Sequence, residues 1–308
     1  MPNSHKSFRN RDRPIESGVQ KRTFTGMDAV DHVQPADPQR AAKRRRNRRR
    51  RIIIYGFLIA SLCGFWLWQP WEYDFIERRA PHPNPMIDPN STSLFSRGTK
   101  VLIVTAHPDD SEFYVGGTLA KLRDSGAEIH QVIVTDGDKA YYGPLTDVAR
   151  NRRERRAEAL AAARQWGGKS LVFLGFQDGR LGISNRLVLR LREEIDKIKP
   201  DYVLAFDFDY PPRLSHKDHR VAGQAVALAL DGNPGVKWLM RFSTSHPNYV
   251  VDISDYWPEK EELLKIHKSQ FFGKRLVQVT NMVQDRAVED AEKIEATYGE
   301  GFRATPLK

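Results

Sequence analysis

Cysteine is almost absent from this sequence: its 308 residues contain one, Cys63. A single thiol excludes an intrachain disulfide and any metal cluster that several cysteines hold. The scarcity does not identify a compartment, because a domain without cysteine folds in a reducing or an oxidising one. Metal chemistry in this chain would therefore have to use His, Asp or Glu as ligands.

Beyond residue 51 the sequence also lacks an excess of charge. The formal net charge is +10, but the first 51 residues hold 15 Lys/Arg and 5 Asp/Glu, which leaves 34 residues of each sign in 52–308. A nucleic-acid-binding domain carries a basic surface of its own. Nucleic acid is therefore not expected as a partner.

The basic N-terminal segment ends at a long apolar run. Residues 1–51 are rich in Arg, Pro and Gln, which predicts a disordered tail. The run that follows, 52–68, has 17 residues and no charge. At about 1.5 Å per residue it spans roughly 25 Å, close to a hydrocarbon core of ~30 Å. We therefore predict a transmembrane signal-anchor over 52–69, with the tail in the cytoplasm and the body outside it, in the periplasm of a Gram-negative cell.

Other interpretations of this region fit less well. A cleaved signal peptide needs a small-x-small site directly before Gln69, and a buried core helix needs a polar face. The sequence has neither feature. The arginine block also matches a localisation signal, but its position beside the apolar run favours contact with membrane lipid through residues 43–71. Residues 70–99 contain five prolines and are predicted to form a semi-extended stalk.

From Lys100 onward, short apolar runs alternate with helical patterns. The predicted strands are KVLIVTA, EIHQVIVTD, SLVFLG, DYVLAFD and YVVDIS. The predicted helices cover 116–125, 145–166, 186–198, 219–230 and 259–272. This alternation predicts an α/β fold with a Rossmann-like, doubly wound and mostly parallel sheet over one domain, 100–308.

Two of these strands end in unusual polar clusters. HPDD occupies 107–110 after the first strand, and HKDH occupies 216–219 after the fourth. An Asp at a helix start is often only an N-cap, but two adjacent carboxylates beside a His repel one another unless a cation lies between them. Two His and a carboxylate form a known catalytic zinc set. Because ligands bind beyond the carboxyl ends of parallel strands, the clusters are expected to meet.

Together these motifs resemble the PIG-L/LmbE-like family of zinc-dependent N-acetylglucosaminyl deacetylases. The similarity covers roughly 100–270. Its motifs are AHPDD at 106–110, GGT at 116–118, RxxE at 155–158, HKDH at 216–219 and HxSQ at 267–270. Lys217 replaces the Pro that is common within the family's HPDH, which leaves the substrate class less defined than the metal ligands.

The resemblance implies a role for each matched position near the metal. It implies that His107, Asp110 and His219 bind Zn²⁺ and that Asp109 is the general base. It also implies that His216 stabilises the oxyanion or protonates the leaving amine. A cationic His216 would stabilise developing negative charge by roughly 3–4 kcal/mol.

Three further residues complete the predicted site. By resemblance, Arg155 and Asp178 contact the sugar. Asp218 is included in the catalytic set because it is expected to orient one of the two histidines of HKDH.

The predicted function is the zinc-dependent removal of acetyl from an N-acetylglucosamine-containing glycolipid, polysaccharide or sugar conjugate. One alternative keeps the site but changes the bond: an amidase of a thiol-sugar conjugate, or a phosphoesterase, which would need two metals and more carboxylates. The other alternative is a non-catalytic, membrane-anchored carbohydrate-binding module. The sequence leaves the acceptor sugar and the oligomeric state open.

Overall fold

The computed structural model describes residues 85–88, 91–140, 147–212 and 215–307. All of them belong to the unit Gln69–Lys308. The predicted tail, the predicted signal-anchor and most of the predicted stalk lie outside the described residues. Within these ranges no helix combines the length and the apolar character needed to cross a membrane.

Residues 91–99, the end of the predicted stalk, lie against the domain. Leu94 is completely buried in the core. The backbone N–H of Ser93 donates to the Tyr202 hydroxyl over 3.0 Å, and Thr92 shares a 3.2 Å hydrogen bond with the Tyr249 hydroxyl. The packed part of the chain therefore begins before Lys100.

In the part of the chain that the structure describes, seven strands form one sheet between two layers of helices. The strands are β1 (Lys100–Thr105), β2 (Glu128–Thr135), β3 (Ser170–Phe176), β4 (Tyr202–Phe206), β5 (Trp238–Phe242), β6 (Tyr249–Asp252) and β7 (Gly299–Pro306). The helices are α1 (Asp110–Asp124), α2 (Val148–Gln165), α3 (Asn185–Ile198), α4 (Lys217–Leu230), α5 (Trp257–Ile266) and α6 (Gly273–Ala291). The sheet order is β3-β2-β1-β4-β5-β7-β6. Strands β1 to β5 are parallel, so the predicted mixed α/β fold is confirmed.

The far end of the sheet differs from the sequence prediction. The predicted fifth strand, YVVDIS, is the edge strand β6, which is antiparallel to β7. The pattern predicts neither β5 nor β7, and the helix predicted over 259–272 is wrong at its end, since α5 stops at Ile266. Strand β7 contains two glycines and a proline, which strands disfavour. Pairing with β5 on one side and β6 on the other orders it.

The sheet order brings the two polar clusters together. Strand β1 lies between β2 and β4, so the direction of winding reverses between β1 and β4. Register pairs Val101 with Tyr202 and Ile103 with Leu204, which places the carboxyl ends of these strands side by side. HPDD follows one end and HKDH begins α4 beyond the other. This is the crevice in which open α/β sheets bind ligands.

Helix α1 is kinked just after the turn that carries HPDD. Val115 has φ −136° and ψ 22°, outside the helical region. The N–H groups of Gly117 and Thr118 donate to the carboxylate of Glu300 in β7, over 3.0 and 2.7 Å. Glu300 also forms an ion pair with Lys260 of α5, and both side chains are almost fully buried. A buried carboxylate from the last strand therefore replaces the helical acceptors that the kink removes.

Replacing Lys260 with Met is expected to destabilise the fold strongly, because it leaves Glu300 charged and buried without its partner. Breaking a buried pair in this way costs about 3–5 kcal/mol of unfolding free energy. Urea denaturation of the full chain measures it. The control is Lys265→Met, which removes an exposed lysine from the same helix and should leave the midpoint almost unchanged. Equal midpoints for the two variants would contradict the role given to the Lys260–Glu300 pair.

Candidate active site

Three side chains from the two clusters meet at the carboxyl ends of β1 and β4. His107 Nδ1 lies 3.1 Å from His219 Nε2, and His219 Nε2 lies 3.2 Å from Asp110 Oδ1. His107 Nδ1 lies 3.5 Å from Asp110 Oδ2. Each of the three residues is at most 9% exposed. The structure thus brings together the three residues predicted to hold the metal.

The distances between these side chains are close to those between the ligands of a tetrahedral metal ion, with His107 and His219 each nearest to a different oxygen of Asp110. Zinc bonds of about 2.0–2.2 Å place neighbouring tetrahedral ligands roughly 3.3–3.5 Å apart. Burial alone would raise the pKa of Asp110, but His219 and His107 lower it far below its usual value. The carboxylate is therefore anionic and available as a ligand. The donor set and its geometry are those of a candidate His/Asp metal site.

The second ring nitrogen of His107 faces two buried carboxylates. Its Nε2 lies 3.3 Å from Asp178 Oδ1 and 3.7 Å from Asp218 Oδ2. Burial raises the pKa of Asp178, but hydrogen bonds from His107 and the Lys139 backbone N–H outweigh it and lower the pKa to about 2. Carboxylates that accept from a ligand histidine orient its ring and fix its tautomer. Because Nε2 of His107 faces these carboxylates, its Nδ1 is directed at the candidate metal site.

These three groups, His107, Asp178 and Asp218, also lie close enough together to form a metal site of their own. Their hydrogen bonds argue against that arrangement. Asp218 already accepts from the backbone N–H of Gly179 at 2.6 Å and of Leu181 at 3.3 Å. Asp218 is fully buried and does not line the cavity. Its carboxylate faces His107 and not a histidine of HKDH, and its role in orienting a histidine stays a prediction.

Aromatic packing, in contrast, positions His219. The ring of Phe206 stacks on it with centroids 4.0 Å apart and planes 9° apart, and Tyr114 meets it edge-on at 5.8 Å. Its Nδ1 is buried and has no hydrogen-bond acceptor among the described residues. A Cβ at Gly223, one turn further along α4, would overlap the carbonyl oxygen of Phe206. This glycine allows α4 to approach β4 closely enough for the stacking.

The carboxylate of Asp109 is held by Arg155. Arg155 Nη2 lies 2.5 Å from Asp109 Oδ1, and its Nη1 donates to the carbonyl of Gly137. Arg155 is 2% exposed, so this is a largely desolvated ion pair. The structure therefore gives Arg155 a partner inside the protein. Its predicted contact with the sugar stays a prediction, as does that of Asp178, and both residues line the cavity.

His216 lies at the rim beside the two ligand histidines. Its ring centroid is 5.0 Å from that of His107 and 5.4 Å from that of His219. Its Nδ1 accepts from the backbone N–H of Asp218 over 3.2 Å, which caps α4. Partial burial lowers the pKa of His216, and the neighbouring His107 and His219 lower it further. The structure thus favours a neutral ring with its proton on Nε2 over the expected cation.

The candidate metal site opens into a cavity of about 350 Å³. Six lining residues are not among the site residues predicted from the sequence: Phe113, Tyr114, Lys139, Gln270, Phe271 and Arg275. Gln270 stands within the HxSQ motif of the resemblance, which was the available signal. The aromatic residues and Arg275 have none, because aromatic side chains in an α/β sequence are more often core residues.

Three contacts fix the HxSQ segment beside the cavity. His267 Nε2 lies 2.8 Å from Glu112, and both residues are 1% exposed. Glu158 of the RxxE motif accepts from the backbone N–H and the hydroxyl of Ser269, over 2.8 and 2.6 Å. Gln270 donates to the carbonyl of Ala140 at 3.4 Å. The distant motifs therefore support one another around a common cavity.

Comparison with known proteins identifies the family. The family described as "PIG-L: GlcNAc-PI de-N-acetylase" matches residues 102–230. Diacetylchitobiose deacetylase of Thermococcus kodakarensis is 31% identical over 199 residues, which are 58% of this chain and 72% of that protein. This chain belongs to the PIG-L family.

Other PIG-L relatives extend the similarity. The probable N-acetyl-α-D-glucosaminyl L-malate deacetylase 2 of Bacillus anthracis is 29% identical and aligns over 68% of this chain and 96% of that protein. The structure of N,N′-diacetylchitobiose deacetylase from Pyrococcus horikoshii superposes with a TM-score of 0.64 at 31% identity, over 70% and 86% of the two chains. These homologues are deacetylases, and the resemblance drawn from the motifs is confirmed.

The stacking on His219 can be tested through metal affinity. Phe206→Leu removes the ring that fixes the imidazole plane, and we expect metal to bind about 10–100-fold more weakly, as when an outer contact of a ligand is lost. Competition with a chromophoric chelator measures the affinity. Phe242→Leu is the matched control, because Phe242 packs on Phe206 at 4.5 Å without contacting His219. An equal loss in both variants would assign the effect to core packing and not to stacking.

Proposed function

We propose that this chain is a zinc-dependent deacetylase that removes the acetyl group from an N-acetylglucosamine-containing glycolipid, polysaccharide or sugar conjugate. One observation carries the proposal: His107, Asp110 and His219 converge within 3.5 Å of one another at a cavity that Asp109 also lines. The relatives named as deacetylases of diacetylchitobiose and of an N-acetylglucosaminyl malate support the choice of substrate.

Amide hydrolysis requires a nucleophile, a polarised carbonyl and a proton for the departing amine. His107, Asp110 and His219 would hold zinc, which would supply Lewis acidity for the attacking water and the acetamide carbonyl. Asp109 accepts the proton of that water, because it lines the cavity and is not one of the three converging ligands. Arg155 holds the Asp109 carboxylate in one orientation throughout.

The rest of the reaction uses the groups around the same carbonyl. As negative charge develops on its oxygen, the Nε2–H of neutral His216 donates a hydrogen bond to it. When the C–N bond breaks, protonated Asp109 returns its proton to the amine nitrogen, which regenerates the carboxylate. Acetate and a free amino sugar are the products.

Asp109→Asn is expected to keep its metal and to lose about 10²–10⁴-fold in kcat, because the amide cannot accept the proton of the attacking water. Acetate release from N,N′-diacetylchitobiose by the full chain measures the rate, and metal analysis measures the content. The control is Asp285→Asn on the exposed face of α6. Full activity in a metal-loaded Asp109→Asn variant would contradict the assignment.

The same assay separates the alternatives. A deacetylase with one site should bind about one zinc per chain, lose activity on chelation and regain it with one equivalent of zinc. A phosphoesterase would require a second metal and hydrolyse phosphate esters. Cleavage of a thiol-sugar amide in preference to acetylated sugars would favour the amidase. A chain that binds sugar without releasing acetate would be the carbohydrate-binding module.

We further propose that residues 52–69 form a signal-anchor which places the catalytic domain outside the cytoplasm, with residues 43–71 in contact with membrane lipid. The arginine block ahead of the apolar run supports this orientation. Alkaline phosphatase fused after Lys308 should be active and β-galactosidase at the same position inactive in a Gram-negative host. The reverse pattern would contradict the orientation, and a chain recovered without membranes would contradict the anchor.

A further inference from the structure

A second cleft, of about 740 Å³, shares no lining residue with the catalytic cavity. It lies beside the carboxyl-terminal half of α4 and the strand β5. Its wall is mainly apolar and includes Leu228, Leu239 and Leu307, with Gln224 as a polar neighbour. The metal chemistry described above gives this cleft no role.

Within the described part of the chain, Arg241 of β5 is the one basic residue that lines the cleft, which also contains Asp231. Arg241 is 9% exposed, and its guanidinium lies 5.7 Å from the ring centroid of Phe208, which also lines the cleft. Its Nη1 donates to the Thr305 hydroxyl over 3.1 Å. Its Nε has no acceptor within the described ranges. One hydrogen bond and one aromatic contact thus serve a group with five N–H donors.

The nearby carboxylates do not pair with Arg241. Arg303, its register partner on β7, takes both of them: Arg303 contacts Asp207 through two bonds of 2.7 Å and Asp209 through one of 2.6 Å. Among the residues that the structure describes, no Asp or Glu oxygen lies within ion-pair distance of Arg241. Burial lowers the pKa of Arg241 and the charge of Arg303 lowers it further, while the charges of Asp207 and Asp209 offset part of this. A buried cation without a partner is costly unless an anion joins it.

We propose that this cleft binds an amphipathic anion, whose single carboxylate or phosphate pairs with Arg241 while its apolar body lies along Leu228, Leu239 and Leu307. The planar guanidinium matches either head group through paired N–H donors. Asp231 at the edge of the cleft disfavours a ligand with several negative charges. This site is independent of the deacetylase proposal, because none of its residues belongs to the metal site.

Calorimetric titration of the full chain tests the proposal, with octanoate, octyl phosphate and octanol as probes. Metal is first removed with a chelator that is then dialysed away, so that neither anion can coordinate a metal ion. Both anions should bind, and octanol should bind at least about 10-fold more weakly. Binding of octanoate alone would restrict the ligand to carboxylates, and of octyl phosphate alone to phosphates. Equal binding of octanol, or no binding of either anion, would overturn the proposal.

Two variants locate the binding. Arg241→Met keeps the length and removes the charge, and should weaken both anions at least about 10-fold. Ala227→Trp keeps Arg241 but fills the cleft that Ala227 lines, and should have the same effect. Arg190→Met, which removes an exposed arginine of α3, is the control. Unchanged anion binding in a folded Arg241→Met or Ala227→Trp variant would place the ligand elsewhere and sink the inference.

Discussion

The close approach of His107, Asp110 and His219 constrains most of what surrounds it. Two imidazoles and a carboxylate are held within 3.5 Å of one another and almost shielded from water. Such an arrangement requires partners for each group on the side that faces away from the other two, since buried polar groups without fixed partners are costly. Asp178 and Asp218 provide this for His107. The adjacency of β1 and β4 brings the two halves together in the first place.

The two histidines of the candidate metal site, His107 and His219, are oriented by different physical means. His107 has charged acceptors behind its ring, whereas His219 lies in an aromatic surrounding and its Nδ1 has no acceptor among the described residues. The negative charge near the site is therefore concentrated on the His107 side. Asp109 belongs to that side as well, yet Arg155 compensates it through a direct ion pair. The ion pair offsets the negative charge of this second carboxylate beside the candidate ligands.

The sequence pattern indicated which side chains would meet at the candidate site, but not the residues that hold them in place. The candidate ligands could be predicted from the sequence, because two strand ends carry His and Asp in a pattern that helix capping does not require. The contact of Arg155 with Asp109 could not be predicted, since it joins residues 46 positions apart through the tertiary fold. Phe206 looked like an ordinary strand residue, and its stacking on His219 depends on how closely α4 approaches. Likewise β7 was missed because its glycines and proline oppose a strand locally, while its neighbours on both sides impose one.

The contacts of the Glu300 carboxylate affect when, during synthesis and folding, the candidate metal site can form. It caps a kink in α1 from a position more than 180 residues further along the chain. The turn ahead of that kink carries Asp110, so the geometry of the candidate metal site depends on a segment that the ribosome delivers after all three candidate ligands. Contacts of such long sequence separation form slowly, since their loop entropy must be overcome first. A nascent chain therefore contains every candidate metal ligand before it has the scaffold to hold them, and catalytic competence should arise only after Glu300 has been added and has folded against α1.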